Sequence, residues 1–323
     1  MRRALRLAGQ VVAALIGLVL ALWCVGALWF APLPTWMPPL LVAGYAIAVA
    51  CALRVRRVRP LVVGASLAVI AAHLALVLPS HHRDWSPDQV RLPHVSIAGS
   101  VATIDGVRDN RYRAVDDYDA RWQSGMYDLD AVASAWFIIE PFGAGPAAHT
   151  FLSFGFDDGR FLAVSPEIRK ERGESFSPLG GMFRRFELMY VLGTERDLIG
   201  LRVLHRRDEV FVYPLRATRA QCRALLTDVL ERVAAIEATP EHYHTLANSC
   251  SVSIARHVDR LWPGVVPLRS EVFLPADSDR LALELGLIDS VLPLAGCRAR
   301  HRIDPAVAAA SLDDGFSAAI RRR

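Results

Sequence analysis

Three apolar runs near the N-terminus constrain this chain more than anything else in its 323 residues. Residues 11–30 carry no charge, and residues 37–53 and 61–78 are two further runs of the same character. At about 1.5 Å per helical residue the first run is about 30 Å long, enough to cross a bilayer core, and the other two are slightly short but workable. Residues 1–78 are therefore expected to form a membrane anchor of three transmembrane helices. A cleaved signal peptide fits worse, because no small-x-small site follows the first run and two more runs do. Arg2, Arg3 and Arg6 precede the first run, and Arg54, Arg56, Arg57 and Arg59 fill the loop between the second and third. The loop at residues 31–36 has no charge. By the positive-inside rule the N-terminus is cytoplasmic and everything after Leu78 lies outside. His73, inside the third run, reads as a neutral histidine near the outer interface.

Composition adds little beyond this division. The hydrophobic fraction of 53% is raised by the anchor, and the remainder has ordinary soluble character. The pI of 8.9 reflects an arginine bias in which Lys170 is the single lysine, and no basic helix or aromatic-basic alternation points to nucleic acid. Five cysteines include no CxxC pair or other metal spacing. Cys24 and Cys51 fall in apolar runs, Cys222 reads as a small buried hydrophobe, and a Cys222–Cys297 disulfide stays open.

Residues 79–94 read as a linker whose first part, 79–90, is rich in His, Asp, Pro and Ser, and residues 95–323 are long enough for one domain with its own core. Short strands are expected at 101–107 and 136–139. The clearest hairpin pairs residues 149–156 with 160–165 around Asp157-Asp158-Gly159. A three-residue loop would set Glu167 opposite His149, whereas a loop of two or four would shift the partner to Ile168. Further strands are expected at 187–192, 198–204 and 209–213. Thr218-Arg219-Ala220-Gln221 is a capping box, and Leu225, Leu226, Val229, Leu230 and Val233 form the buried stripe of the helix after it. A short peripheral helix is expected at 316–323.

The stretch Tyr243-His244-Thr245-Leu246-Ala247-Asn248-Ser249-Cys250 combines two good N-caps with a lone cysteine, followed by Ile254, Val258 and Leu261 at helical spacing. A cysteine in the first turn of a helix meets unpaired N–H groups and the positive dipole end, which favour the thiolate. A nucleophilic cysteine needs a base and a group that orients the base. His149 and Glu167 supply that pair, with the histidine before the cysteine in the chain. Each residue also has a plainer reading. Cys250 can be an inert core cysteine, His149 a strand-end histidine satisfied by backbone, and Glu167 one member of a solvated charge run. His242, His244 and Cys250 match no standard metal set.

Three segments resemble the family named for the Lnb N-terminal periplasmic domain. They are Ala148-His149-Thr150-Phe151-Leu152-Ser153-Phe154, then Phe186-Glu187-Leu188 with Glu195-Arg196-Asp197, then the Tyr243–Cys250 stretch, and Gly286-Leu287-Ile288-Asp289 looks similar too. The resemblance implies an α+β domain: a permuted papain-like fold of the NlpC and lecithin:retinol acyltransferase type, an antiparallel sheet with packed helices, here preceded by three transmembrane helices. It implies a Cys/His acyltransferase held at the bacterial inner membrane with its domain in the periplasm. The acyl chain would pass from a phospholipid to the α-amine of a lipoprotein, with no cofactor, no metal and no nucleic acid. Cys250 matches the nucleophile and His149 the base, while Glu167 is the geometric proposal for the orienting group. Asn248 and Tyr243 are the substrate-binding or oxyanion candidates. The chain departs from the family pattern at His244 and Ser249, where asparagines are usual, and at Ser251-Val252, where threonines are usual. The same fold equally accommodates an amidase or peptidase acting on peptidoglycan.

Overall fold

The computed structural model describes residues 1–312 and 315–322, Arg2 by its backbone alone. The three apolar runs are helices: α1 (Arg2–Trp29), α2 (Met37–Arg54) and α3 (Arg59–Leu76). All three are long and apolar enough to cross a membrane. Prolines fit at the starts of α2 and α3, where a missing N–H breaks no helical bond. The α2–α3 turn holds Arg56 and Arg57, so these cations lie at the end of the bundle away from Trp29 and Leu76.

The rest of the chain is built on an eight-stranded sheet. Its strands are β1 (His94–Ala98), β2 (Val101–Arg108), β5 (Trp122–Asp128), β6 (Val132–Pro141), β7 (Ala148–Phe156), β8 (Phe161–Arg169), β9 (Glu187–Gly193) and β10 (Phe211–Pro214). The two-residue strands β3 (Arg111–Tyr112) and β4 (Tyr118–Asp119) pair separately. The main path runs β1-β2-β9-β8-β7-β6-β10, antiparallel except at the single parallel contact of β2 with β9. Its helices include α4 (Pro178–Met182), α5 (Glu195–Gly200), α6 (Arg219–Ala238), α7 (Cys250–Leu261), α8 (Ser270–Phe273), α9 (Ser278–Glu284), α10 (Leu294–His301), α11 (Pro305–Ala310) and α12 (Phe316–Ala319). This is the expected α+β class, a sheet with packed helices after three apolar ones. The C-terminal helix is a single turn, and Arg323 lies outside the described residues.

Each face of the sheet has its own core. One joins Leu152, Phe154 and Leu188 to Leu226, Val229 and Leu230 of α6 and Ile254 of α7. The other joins Phe151, Met189 and Val191 to Leu198, Ile199 and Val203. Strand alternation along β7 sends Leu152 and Phe154 one way and Phe151 the other.

Residues 198–204 correct one expectation. They form α5 and a following π-helix (Leu201–Arg206) rather than a strand. Thr194 caps the helix by accepting from the Asp197 N–H, and Leu198, Ile199 and Val203 then fall on one buried face. A short apolar run cannot be assigned by periodicity alone. The other expected strands are present, and the capping box of Thr218 and Gln221 opens α6. Cys222 and Cys297 are both buried and free, so the disulfide does not form.

Residues 79–93 hold neither helix nor strand, yet they are docked. Trp85 is buried beneath the Arg169 guanidinium, 4.2 Å from its ring centre, and Gln89 bonds the backbone of Ile168 and Lys170. Phe183, just after α4, projects into the anchor among Trp23, Phe30 and His73. Gly26 makes room for it, since a Cβ there would overlap the Phe183 ring. Arg184 donates to the Leu74 carbonyl at 2.9 Å, and His242 bonds that of Val77 at 3.1 Å. The domain thus sits on the end of the bundle where α1 and α3 finish.

Candidate active site

The loop before α7 is held by its own side chains. His244 Nδ1 accepts from the backbone N–H groups of Leu246 and Ala247, at 3.2 and 3.1 Å, and the Asn248 N–H donates to the His244 carbonyl at 2.7 Å. An asparagine oxygen makes the same kind of bond in an Asx-turn, so histidine replaces the usual residue without losing the turn. Burial lowers the His244 pKa, which keeps Nδ1 an acceptor. Ser249 is the N-cap, its hydroxyl accepting from the Val252 N–H, and Ser251 donates to the Val272 carbonyl at 2.7 Å. Cys250 follows the cap as the first residue of α7.

The second half of the site comes from the hairpin. Gly155 pairs with Phe161 and Leu152 with Val164 around residues 157–159, where Gly159 takes φ +82°. Extending that register sets position 149 opposite 167. His149 Nε2 lies 2.7 Å from the Ser165 hydroxyl, which donates to Glu167 Oε1 at 2.9 Å, and Nε2 itself is 3.7 Å from that oxygen. Because the Ser165 proton points to Glu167, the network assigns the imidazole proton to Nε2 and leaves Nδ1 as the basic nitrogen. On the opposite neighbour, β6, Glu140 pairs with His149.

Arg202 holds both carboxylates, bonding Glu140 at 2.7 Å, Glu167 at 3.1 Å and the Leu198 carbonyl at 2.6 Å. Arg206 adds a contact to Glu140 at 3.4 Å. Burial would raise the Glu167 pKa, but Arg202, His149 and Arg108 hold it well below the usual carboxylate range. Burial, reinforced by Arg202, lowers His149 to about 4 despite Glu167 and Glu140. The imidazole is therefore neutral at physiological pH. Burial likewise pushes the Cys250 thiol up, partly offset by hydrogen bonding from Thr150 and the Ser251 backbone. The resting pair is thiol and imidazole, not thiolate and imidazolium.

Cys250, His149, Glu167 and Tyr243 line one cleft of about 820 Å³, open to solvent, together with Arg202 and Lys170. They reach it from different sides. The Cys250 sulfur contacts the Ala148 carbonyl at 3.9 Å, on the α7 side of β7, whereas the His149 ring stacks on Phe151 at 5.6 Å on the other. The thiol's hydrogen bond is thus to the backbone beside His149 and not to the imidazole. Tyr243 is buried against the thiol, and burial followed by Cys250 raises its pKa strongly. Asn248 does not line the cleft. Its amide donates to the His242 carbonyl at 3.1 Å and its oxygen accepts from Arg256 at 3.4 Å.

Ser165, Glu140, Arg202 and Arg206 were not foreseen from the sequence. An arginine inside Leu198-Ile199-Gly200-Leu201-Arg202-Val203-Leu204 was the available signal, because a buried guanidinium requires carboxylates nearby. A second unforeseen network lies behind α7. His257 Nδ1 meets Asp228 of α6 at 2.5 Å and its Nε2 meets the Tyr190 hydroxyl at 2.9 Å.

Fold and cleft together define a class: an α+β domain docked on a three-helix membrane anchor, with a cysteine at a helix start beside a half-buried His–Ser–Glu chain. A family model described as the Lnb N-terminal periplasmic domain matches residues 118–284, just over half of the chain. The chain belongs to that family and is a membrane protein with a periplasmic domain. His149, Glu167 and Cys250 all fall within the matched residues. No curated protein and no solved structure matches the chain.

Proposed function

We propose that this protein is a thiol acyltransferase of the bacterial inner membrane, with its N-terminus in the cytoplasm and its cleft in the periplasm. The observation that carries the reading is the convergence of Cys250 and the His149–Ser165–Glu167–Arg202 chain on one cleft. The docked domain and the arginine-rich α2–α3 turn lie at opposite ends of the bundle, which supports the orientation.

In the first half-reaction His149 Nδ1 takes the thiol proton and the Cys250 sulfur attacks the ester carbonyl carbon of a phospholipid. A C–S bond forms, the ester C–O bond breaks, and the departing alkoxide recovers the proton from the imidazolium. Backbone N–H groups at the start of α7 are the donors available to the oxyanion. In the second half, the α-amine of a lipoprotein attacks the thioester, a C–N bond replaces C–S, and the amine proton passes through His149 to the sulfur. Glu167 and Ser165 keep the imidazole proton on Nε2. No cofactor takes part. Anchoring confines the enzyme with two membrane-bound substrates and raises their effective concentration.

Intact-mass spectrometry of the full-length protein should show a one-acyl-chain increase that is lost in Cys250→Ala, and lipoprotein N-termini should lose their N-acyl group when the gene is deleted. Unchanged acylation in a strain with no other N-acyltransferase overturns the proposal. The charged lining at Lys170, Arg202 and Arg206 favours a second reading, an amidase or peptidase for envelope peptides. Release of new amines from muropeptides by the purified protein would decide for it.

A further inference from the structure

Behind the nucleophile, on the α7 side of the sheet, lies a second pocket of about 600 Å³, open to solvent. Phe137 and Leu152 form its floor, Ile254 and Val258 of α7 one wall, and Leu281 and Leu285 the other. Thr150 and Ser251 also line it. Thr150 is the residue whose backbone and side chain act on the Cys250 thiol, and Ser251 directly follows the nucleophile. The cavity therefore lies against the two residues that flank the thiol, on the face of β7 opposite the His149 ring, while Cys250 itself lines the cleft. The Thr150 side chain is fully buried there. Glu271 at the rim is neutralised by Arg269 and Arg280.

We propose that this chamber receives the aliphatic tail of the acyl group while its carbonyl is bonded to Cys250. The assignment rests on the thioester reading above and adds where the substrate's apolar half goes. The two cavities divide the work by polarity. The cleft presents His149, Lys170, Arg202 and Arg206, groups suited to a departing headgroup and an incoming amine. An aliphatic chain has nothing to gain among them, whereas each methylene moved from water to an apolar wall strengthens binding roughly fourfold. A tail too short to fill the chamber forgoes that gain, so chain length is selected by how far the walls extend. Ala255 and Ala282, half-buried on facing walls, keep the middle of the chamber open.

The test uses the full-length protein in nanodiscs with p-nitrophenyl esters from butyrate to palmitate. Adduct formation on Cys250 is followed by intact mass. For the native protein the rate should rise with chain length. Ala255→Phe, or Ala282→Phe from the facing wall, should lose at least tenfold with palmitate and retain the butyrate rate. Comparing variant with native protein at each length cancels the partitioning of long esters into lipid, and the butyrate reaction reports that the variant is folded. A native length series that is flat, or variants that fall equally at every length, overturns the chamber alone. No adduct from any ester overturns the thioester reading and the chamber with it.

Discussion

At the residue scale, the proposed chemistry rests on two groups whose burial keeps them neutral. The Cys250 thiol lies above its ordinary value near 9, so its reaction with iodoacetamide should still climb about tenfold per pH unit through pH 9, where an unfolded control levels off. A plateau below pH 8 would mean a resting ion pair and would contradict the general-base mechanism. His149 gives a stability prediction. Between its ordinary 6.5 and its folded value of about 4, the unfolded chain holds a proton that the folded chain does not. Stability therefore falls as pH drops through that window, by up to about 1.4 kcal/mol per unit. Glu167, held low, acts in the same direction, its contribution present above about 4.5 and lost below. Urea midpoints measured from pH 7 to 4 should be flatter for His149→Gln than for the native protein. Arg202→Met strands two buried carboxylates and should cost about 3–5 kcal/mol, with part of the loss recovered in the double variant with Glu140→Gln. Cys250 and His149 were legible in the sequence because each sits in a local pattern, a capped helix start and a hairpin arm. Glu167 followed from counting across a tight loop. Glu140 and Arg202 needed the sheet's next strand, β6, and a helix folded over its face, which no local pattern encodes.

At the element scale, the sequence was readable where one rule acted alone and ambiguous where two competed. The capping box specified the start of α6 outright, and Thr218→Ala should cost about 1 kcal/mol in a thermal melt. Residues 198–204 have the apolar content of a buried strand, and only the Thr194 cap and the pairing of Arg202 with the sheet favour the helix. The buried stripe of α7 was also only partly legible. Ile254 is buried and Val258 is half-buried, but His257 is buried beside them because Asp228 and Tyr190 occupy both of its nitrogens. That chain fixes α7 on α6 and β9, and so fixes the height of Cys250 over the cleft. His257→Leu removes both bonds and should lower the rate of Cys250 acylation more than it lowers the melting temperature of the domain.

At the scale of the whole molecule, anchor and domain form a continuous packed body. The linker foreseen at residues 79–94 spans the junction and is pinned at Trp85 and Gln89, while Phe183 fills the notch at Gly26. Gly26→Leu should expel the Phe183 ring and loosen the junction, seen as faster proteolysis between residues 79 and 93 in nanodiscs while the melting of the sheet stays unchanged. Three apolar helices were plain in the sequence, but a phenylalanine inserted between them from 157 residues beyond the matching glycine was not, because that glycine carries no side chain to announce it. The plug has a geometric consequence. A domain on a slack tether sweeps a hemisphere and samples every elevation above the lipid plane, whereas this one holds its cleft at a single altitude. If the proposed acyl transfer holds, acceptors would be sorted by the stretch of chain between their bilayer foothold and their reactive end: those of matching reach would be serviced in a flat, two-dimensional search, and those with longer stalks would pass over the opening untouched.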